Sequence, residues 1–88
     1  MKQKNTYFLY TIAECPYCTM ARELLTKHKQ KFVVMELNRE HETLIRLKEE
    51  MDWGTVPMVF QLEGRDHKFI GGYTDLLNLM EGKENDQQ

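Results

Sequence analysis

The 88-residue chain is 41% apolar and 30% charged, with a formal charge of −2, a composition with few prolines and dispersed aromatics that excludes disordered and collagen-like classes. Its slight acidity excludes the basic surface expected of a nucleic-acid or anionic-membrane binder. The length supports one domain with a small core, and two cysteines three residues apart cannot staple distant elements, so the pair reads as metal-binding or catalytic in a reducing compartment.

Thr6 to Thr11 (TYFLYT) is β-branched and aromatic, the pattern of a buried strand. From Cys15 the period changes: Cys18, Ala21, Leu24, Leu25 and His28 share one helical face, with Pro16 in the first turn, where its missing N–H costs nothing. This helix runs to Lys27 or His28, and Lys27, Lys29 and Lys31 suit a helix C-terminus and its following turn. Phe32 to Leu37 is a second strand, and strand, helix, strand implies a right-handed crossover between parallel neighbours. Asn38 is the expected N-cap of a second helix that carries Leu44, Leu47 and Met51 inward and ends by Asp52 to Gly54. Met58 to Leu62 and His67 to Ile70 form a hairpin around Glu63-Gly64-Arg65-Asp66. Gly71-Gly72 breaks the last strand, and Thr74 is the expected cap of a final helix with Leu76, Leu77 and Met80 facing inward and Gly82 at its end.

This order predicts an α/β, thioredoxin-like fold: a four-stranded mixed β-sheet flanked by three α-helices. One domain is expected over 1–82, followed by a polar, disordered tail over 83–88. The polar start Met1 to Asn5 and the short apolar run to Ala13 do not form a signal peptide, and no segment reaches the roughly 20 apolar residues that span a bilayer. The expected location is the cytoplasm.

A Cys-x-x-Cys between a strand end and a helix start places Cys15 at the helix N-terminus, where unpaired N–H groups and the macrodipole favour a thiolate. Cys18, one turn on, is shielded and close enough to attack a mixed disulfide formed at Cys15. A zinc site would need two more ligands, and His28, His41 and His67 lack the close spacing of common Cys2His2 sites, so no metal is expected. Met20, Met35, Met51, Met58 and Met80 read as gap-filling or surface residues. In Thr55-Val56-Pro57 the proline forces Val56 to be extended, which either stops a strand at its entry or offers backbone to a peptide-like substrate. In Gly71-Gly72-Tyr73-Thr74-Asp75, helix capping alone accounts for Thr74 and for Asp75 as an acid in the first helical turn.

With Cys15-Pro16-Tyr17-Cys18, Thr55-Val56-Pro57 and Gly71-Gly72-Tyr73-Thr74-Asp75 in this order, the chain resembles the dithiol glutaredoxins, from Thr6 to about Met80. The resemblance implies that Cys15 is the nucleophile, Cys18 the resolving thiol and Pro57 a cis-proline facing them. It further implies glutathione contacts from Tyr17, Thr55, Val56, Pro57, Gly72, Thr74 and Asp75, with Val56 pairing with the cysteinyl backbone and Thr74 and Asp75 holding the γ-glutamyl end. Many members carry a lysine where this chain has Ile12 and a basic or amide residue where it has Trp53-Gly54, so Lys48, Arg46 or a backbone group is left to hold the glycyl carboxylate. The implied function is glutathione-dependent reduction of protein disulfides and glutathione mixed disulfides, with glutathione as co-substrate and no bound cofactor. The implied partners are glutathione and disulfide-containing or glutathionylated proteins, among them ribonucleotide reductase, acted on by a monomer. Two alternatives are a redoxin recharged by thioredoxin reductase and a glutathione-dependent iron-sulfur carrier; Pro16 argues against the second.

Overall fold

The computed structural model describes residues 6–82. Its elements in chain order are β1 (Thr6–Thr11), α1 (Pro16–Lys27), β2 (Lys31–Glu36), α2 (Glu42–Met51), β3 (Met58–Glu63), β4 (Asp66–Gly71) and α3 (Tyr73–Leu77), which continues as a π-helical turn over Asn78–Gly82. The strands form one sheet in the order β2-β1-β3-β4; β1 and β2 are parallel, while β1 with β3 and β3 with β4 are antiparallel. The arrangement is thioredoxin-like, and the expected tail over 83–88 lies outside the described residues.

Strand alternation divides the core between the two faces of the sheet. On one face Tyr7, Leu9 and Val59 pack with Ala21, Leu24 and Leu25 of α1 and Leu76 of α3. On the other, Phe8, Tyr10, Met58 and Phe60 meet Leu44 and Leu47 of α2, with Ile12 in the same cluster. Leu9, Leu25, Leu44, Met58 and Leu76 are fully buried. The helical face read from Cys18, Ala21, Leu24 and Leu25 is the buried face of α1.

Two expected caps are replaced by neighbours. Asn38 does not cap α2: its carbonyl accepts from the His41 N–H at 3.0 Å, closing a separate turn, and His41 becomes the cap, its Nδ1 accepting from the Thr43 N–H at 3.0 Å. Thr74 does not cap α3 either. Gly72 does: its carbonyl accepts from the Leu76 N–H at 3.0 Å, which places Thr74 inside the first turn. The final helix is also shorter than its apolar spacing suggests, because regular α-helix stops at Leu77. At the hairpin, Glu63 and Asp66 join the strands as a directly opposed pair, leaving Gly64-Arg65 as the turn, with Gly64 at a φ of 60° that suits glycine.

Candidate active site

β1 ends at Thr11, inside the sheet, and the three residues Ile12 to Glu14 deliver Cys15 to the first position before α1. Cys15 is the N-cap: its Sγ accepts from the Cys18 N–H at 3.2 Å, and its carbonyl accepts from the Thr19 N–H at 3.1 Å. Pro16 then starts the helix without a wasted donor. Cys15 and Cys18 are joined as a disulfide, their Cα atoms 5.2 Å apart. Cys18 is only 2% exposed, whereas Cys15 is half-buried, so an incoming sulfur reaches Cys15 first. Once the disulfide is reduced, the N–H that now points at Cys15 Sγ, together with the helix N-terminus, stabilises a thiolate there.

Two loops face the first turn of α1. The Val56–Pro57 peptide is cis, and Pro57 is buried at the entry to β3. The β4-to-α3 connection comes up beside it: a Cβ added to Gly72 would stand 3.6 Å from the Pro57 carbonyl oxygen. Asp75 fixes this connection, since its Oδ2 accepts from the Gly72 N–H at 3.0 Å. Gly71 adopts a φ of 129°, and a Cβ there would overlap the Asp75 carboxylate, so glycine is required twice over.

Between these loops and α1 lies a groove of about 370 Å³, lined by Tyr17, Trp53, Thr55, Val56, Pro57, Gly72, Tyr73, Thr74 and Asp75. Every residue expected to contact glutathione is in that lining; Cys15 and Cys18 are not, and Tyr17 in the first turn of α1 connects them to it. Sequence reasoning missed Trp53 and Tyr73 as walls. Their only signal was position, Trp53 shortly before Thr55-Val56-Pro57 and Tyr73 within the Gly-Gly cluster. Tyr73 stands 6.0 Å from Tyr17, ring centre to ring centre, and Trp53 sets its ring edge-on to Phe69 at 5.3 Å. Among the described residues, the single formal charge in the lining is the Asp75 carboxylate.

A helix-capping cysteine paired with a buried one, a cis-proline loop and a peptide-sized groove together suit thiol-disulfide exchange. Residues 7–66 match the glutaredoxin family. The chain belongs to the glutaredoxin family. It is 34% identical over 77 residues to glutaredoxin 1 of Rickettsia typhi, covering 85% of this chain and 70% of that one. With glutaredoxin 1 of Rickettsia prowazekii it shares 35% over 78 residues, 85% of this chain and 77% of the relative. The crystal structure of glutaredoxin 1 from Francisella tularensis has the same fold, with a TM-score of 0.70 at 22% identity over 93% of this chain and 98% of that one. This glutaredoxin is therefore a thiol-disulfide oxidoreductase built on the Cys15–Cys18 pair.

The structure explains one departure from the family pattern. Ile12 is a core residue, 7% exposed and packed with Leu44, Met58 and Phe60, so an apolar side chain there is held by burial. Neither Arg46 nor Lys48 lines the groove. His28 closes α1 and meets Glu81 at 3.3 Å, His41 caps α2, and His67 lies on β4; no cluster of metal-ligating side chains occurs among the described residues.

Proposed function

We propose that this glutaredoxin is glutathione-dependent: it reduces protein disulfides and glutathione mixed disulfides through Cys15 and Cys18, in the cytoplasm. The observation that carries the reading is the groove, which gathers Tyr17, Thr55, Val56, Pro57, Gly72, Thr74 and Asp75 from three separate stretches of chain next to the first turn of α1. Val56 supplies extended backbone for the cysteinyl unit of glutathione, and Asp75 supplies a carboxylate for its ammonium group.

The chemistry is two exchanges. The Cys15 thiolate attacks the glutathionyl sulfur of a mixed disulfide, and the substrate thiolate leaves and takes a proton from water. A thiolate from free glutathione then attacks the glutathionyl sulfur on Cys15, releasing glutathione disulfide and restoring the Cys15 thiolate. For a protein disulfide, Cys15 forms a mixed disulfide with the protein, and Cys18 attacks Cys15 to release the reduced protein. Two glutathione molecules reduce the resulting Cys15–Cys18 disulfide, and a dithiol poised at about −200 to −230 mV draws on that pool. The substrates are disulfide-containing or glutathionylated proteins, with ribonucleotide reductase as one to assay.

The test supplies reducing equivalents by two routes, NADPH with glutathione reductase and glutathione, or NADPH with thioredoxin reductase. Turnover of a small disulfide by the first route and not the second is expected. Turnover only with thioredoxin reductase would overturn the proposal.

A further inference from the structure

We propose that the groove does not read the C-terminal carboxylate of its thiol peptide, so that C-terminally amidated glutathione serves as well as glutathione; this rests on the glutathione reading above. Glutathione brings two carboxylates and one ammonium to a site whose lining offers three aromatic rings, backbone, small side chains and one carboxylate. The ammonium has a partner in Asp75. The cysteinyl unit has the Val56 backbone. Among the described residues neither carboxylate finds a cation in the lining, and a carboxylate moved out of water there exchanges its hydration for neutral donors at best.

The aromatic walls make the selectivity physical. Tyr17, 58% exposed, and Tyr73 both line the groove, and the face of an aromatic ring carries negative quadrupole charge that accepts a neutral amide or a cation and does not attract an anion. Trp53 closes the wall, and its indole N–H is fully buried, without a hydrogen-bond partner among the described residues, so it is not presented to the groove as a donor. The nearest stretch of α2 approaches through its backbone: the Lys48 carbonyl accepts from the Trp53 N–H at 2.9 Å, while the Lys48 side chain stays out of the lining. A terminal carboxylate is left at the groove mouth in water, and replacing it by a carboxamide removes no contact with the groove.

The experiment uses two mixed disulfides of 2-mercaptoethanol, one with glutathione and one with glutathione amide. Reduced enzyme is mixed with each, and release of 2-mercaptoethanol by Cys15 gives the two second-order rate constants. The expected ratio lies within about threefold of one, or favours the amide. Adding a cation to the exposed groove wall, Thr55→Lys, should shift the ratio toward glutathione by about threefold to fivefold, an effect that salt diminishes. A wild-type preference for glutathione of about tenfold or more, the size of one charge-assisted hydrogen bond, would overturn the inference and leave glutathione dependence intact. If Lys48→Ala then abolished that preference, the carboxylate would be read by Lys48. Failure of the enzyme to accelerate either reaction would overturn both readings.

Discussion

Asp75 is the residue in which folding and binding are most entangled, and two substitutions separate them. Its Oδ2 accepts from the Gly72 N–H at 3.0 Å in the first turn of α3, and it is half-buried. Asp75→Ala removes that hydrogen bond, about 0.5 to 1.5 kcal/mol, and the acid at a helix N-terminus, about 0.3 to 1 kcal/mol. Partial exposure draws the sum to about 1 to 2 kcal/mol, or roughly 4 to 16 °C of Tm in a domain this size. Asp75→Asn keeps an oxygen for Gly72 and removes only the charge, so its cost stays within about 1 kcal/mol. If the carboxylate also holds the ligand ammonium, Asp75→Ala raises the KM for a glutathione mixed disulfide by about tenfold to a hundredfold. Asp75→Asn, retaining a neutral acceptor roughly half as strong, raises it by about threefold to tenfold. Thermal unfolding and steady-state kinetics on the same preparations decide the matter. An unchanged KM in Asp75→Asn would remove Asp75 from the binding site, and an unchanged Tm in Asp75→Ala would refute the cap.

The two thiols are unequal. Cys15→Ser should abolish turnover, Cys18→Ser should retain removal of glutathione from mixed disulfides, and alkylation of the reduced protein at mildly acidic pH should label Cys15 first; equal labelling contradicts the assignment. Glu81 tests the join between α1 and the last turn: its bonds to Lys27 and then His28 draw its carboxyl below the ordinary 4.5. A depressed carboxyl stabilises the fold above its ordinary pKa and loses that contribution as pH falls through the depressed value, so Glu81→Gln should be less stable than wild type near pH 7 and equal to it at about pH 2. Denaturant titration at both pH values checks this, and a gap that persists in acid contradicts it. Leu25→Ala, in the fully buried core between sheet and α1, should cost about 2 to 5 kcal/mol by the same titration, against about 0.5 kcal/mol or less for Val33→Ala on the half-exposed outer strand.

The element order was legible because each segment carries its own period: TYFLYT alternates into two cores, and Cys18, Ala21, Leu24 and Leu25 recur as one helical stripe. Errors fell at helix starts. Asn38 and Thr74 are both good capping residues, yet the cap is decided by which carbonyl the chain turns to accept with, and that depends on where β2 and β4 release it. Likewise Leu77 and Met80 keep helical spacing although the α-helix gives way to a π turn between them.

By itself the sequence determined the chemistry: two thiols one helical turn apart, a proline before a strand and a glycine-rich entry to the last helix are local patterns, and their local geometry follows from covalent structure and helix physics. Only the tertiary structure decided what those patterns share. Tyr17, Thr55 to Pro57 and Gly72 to Asp75 are far apart in the chain, and they become walls of one groove because β1 and β3 pair as neighbours and β4 returns beside β3. The same pairing brought in Trp53 and Tyr73 and left Arg46 and Lys48 out of the lining. The charge of a binding site is a property of that gathering, which no single stretch of sequence carries.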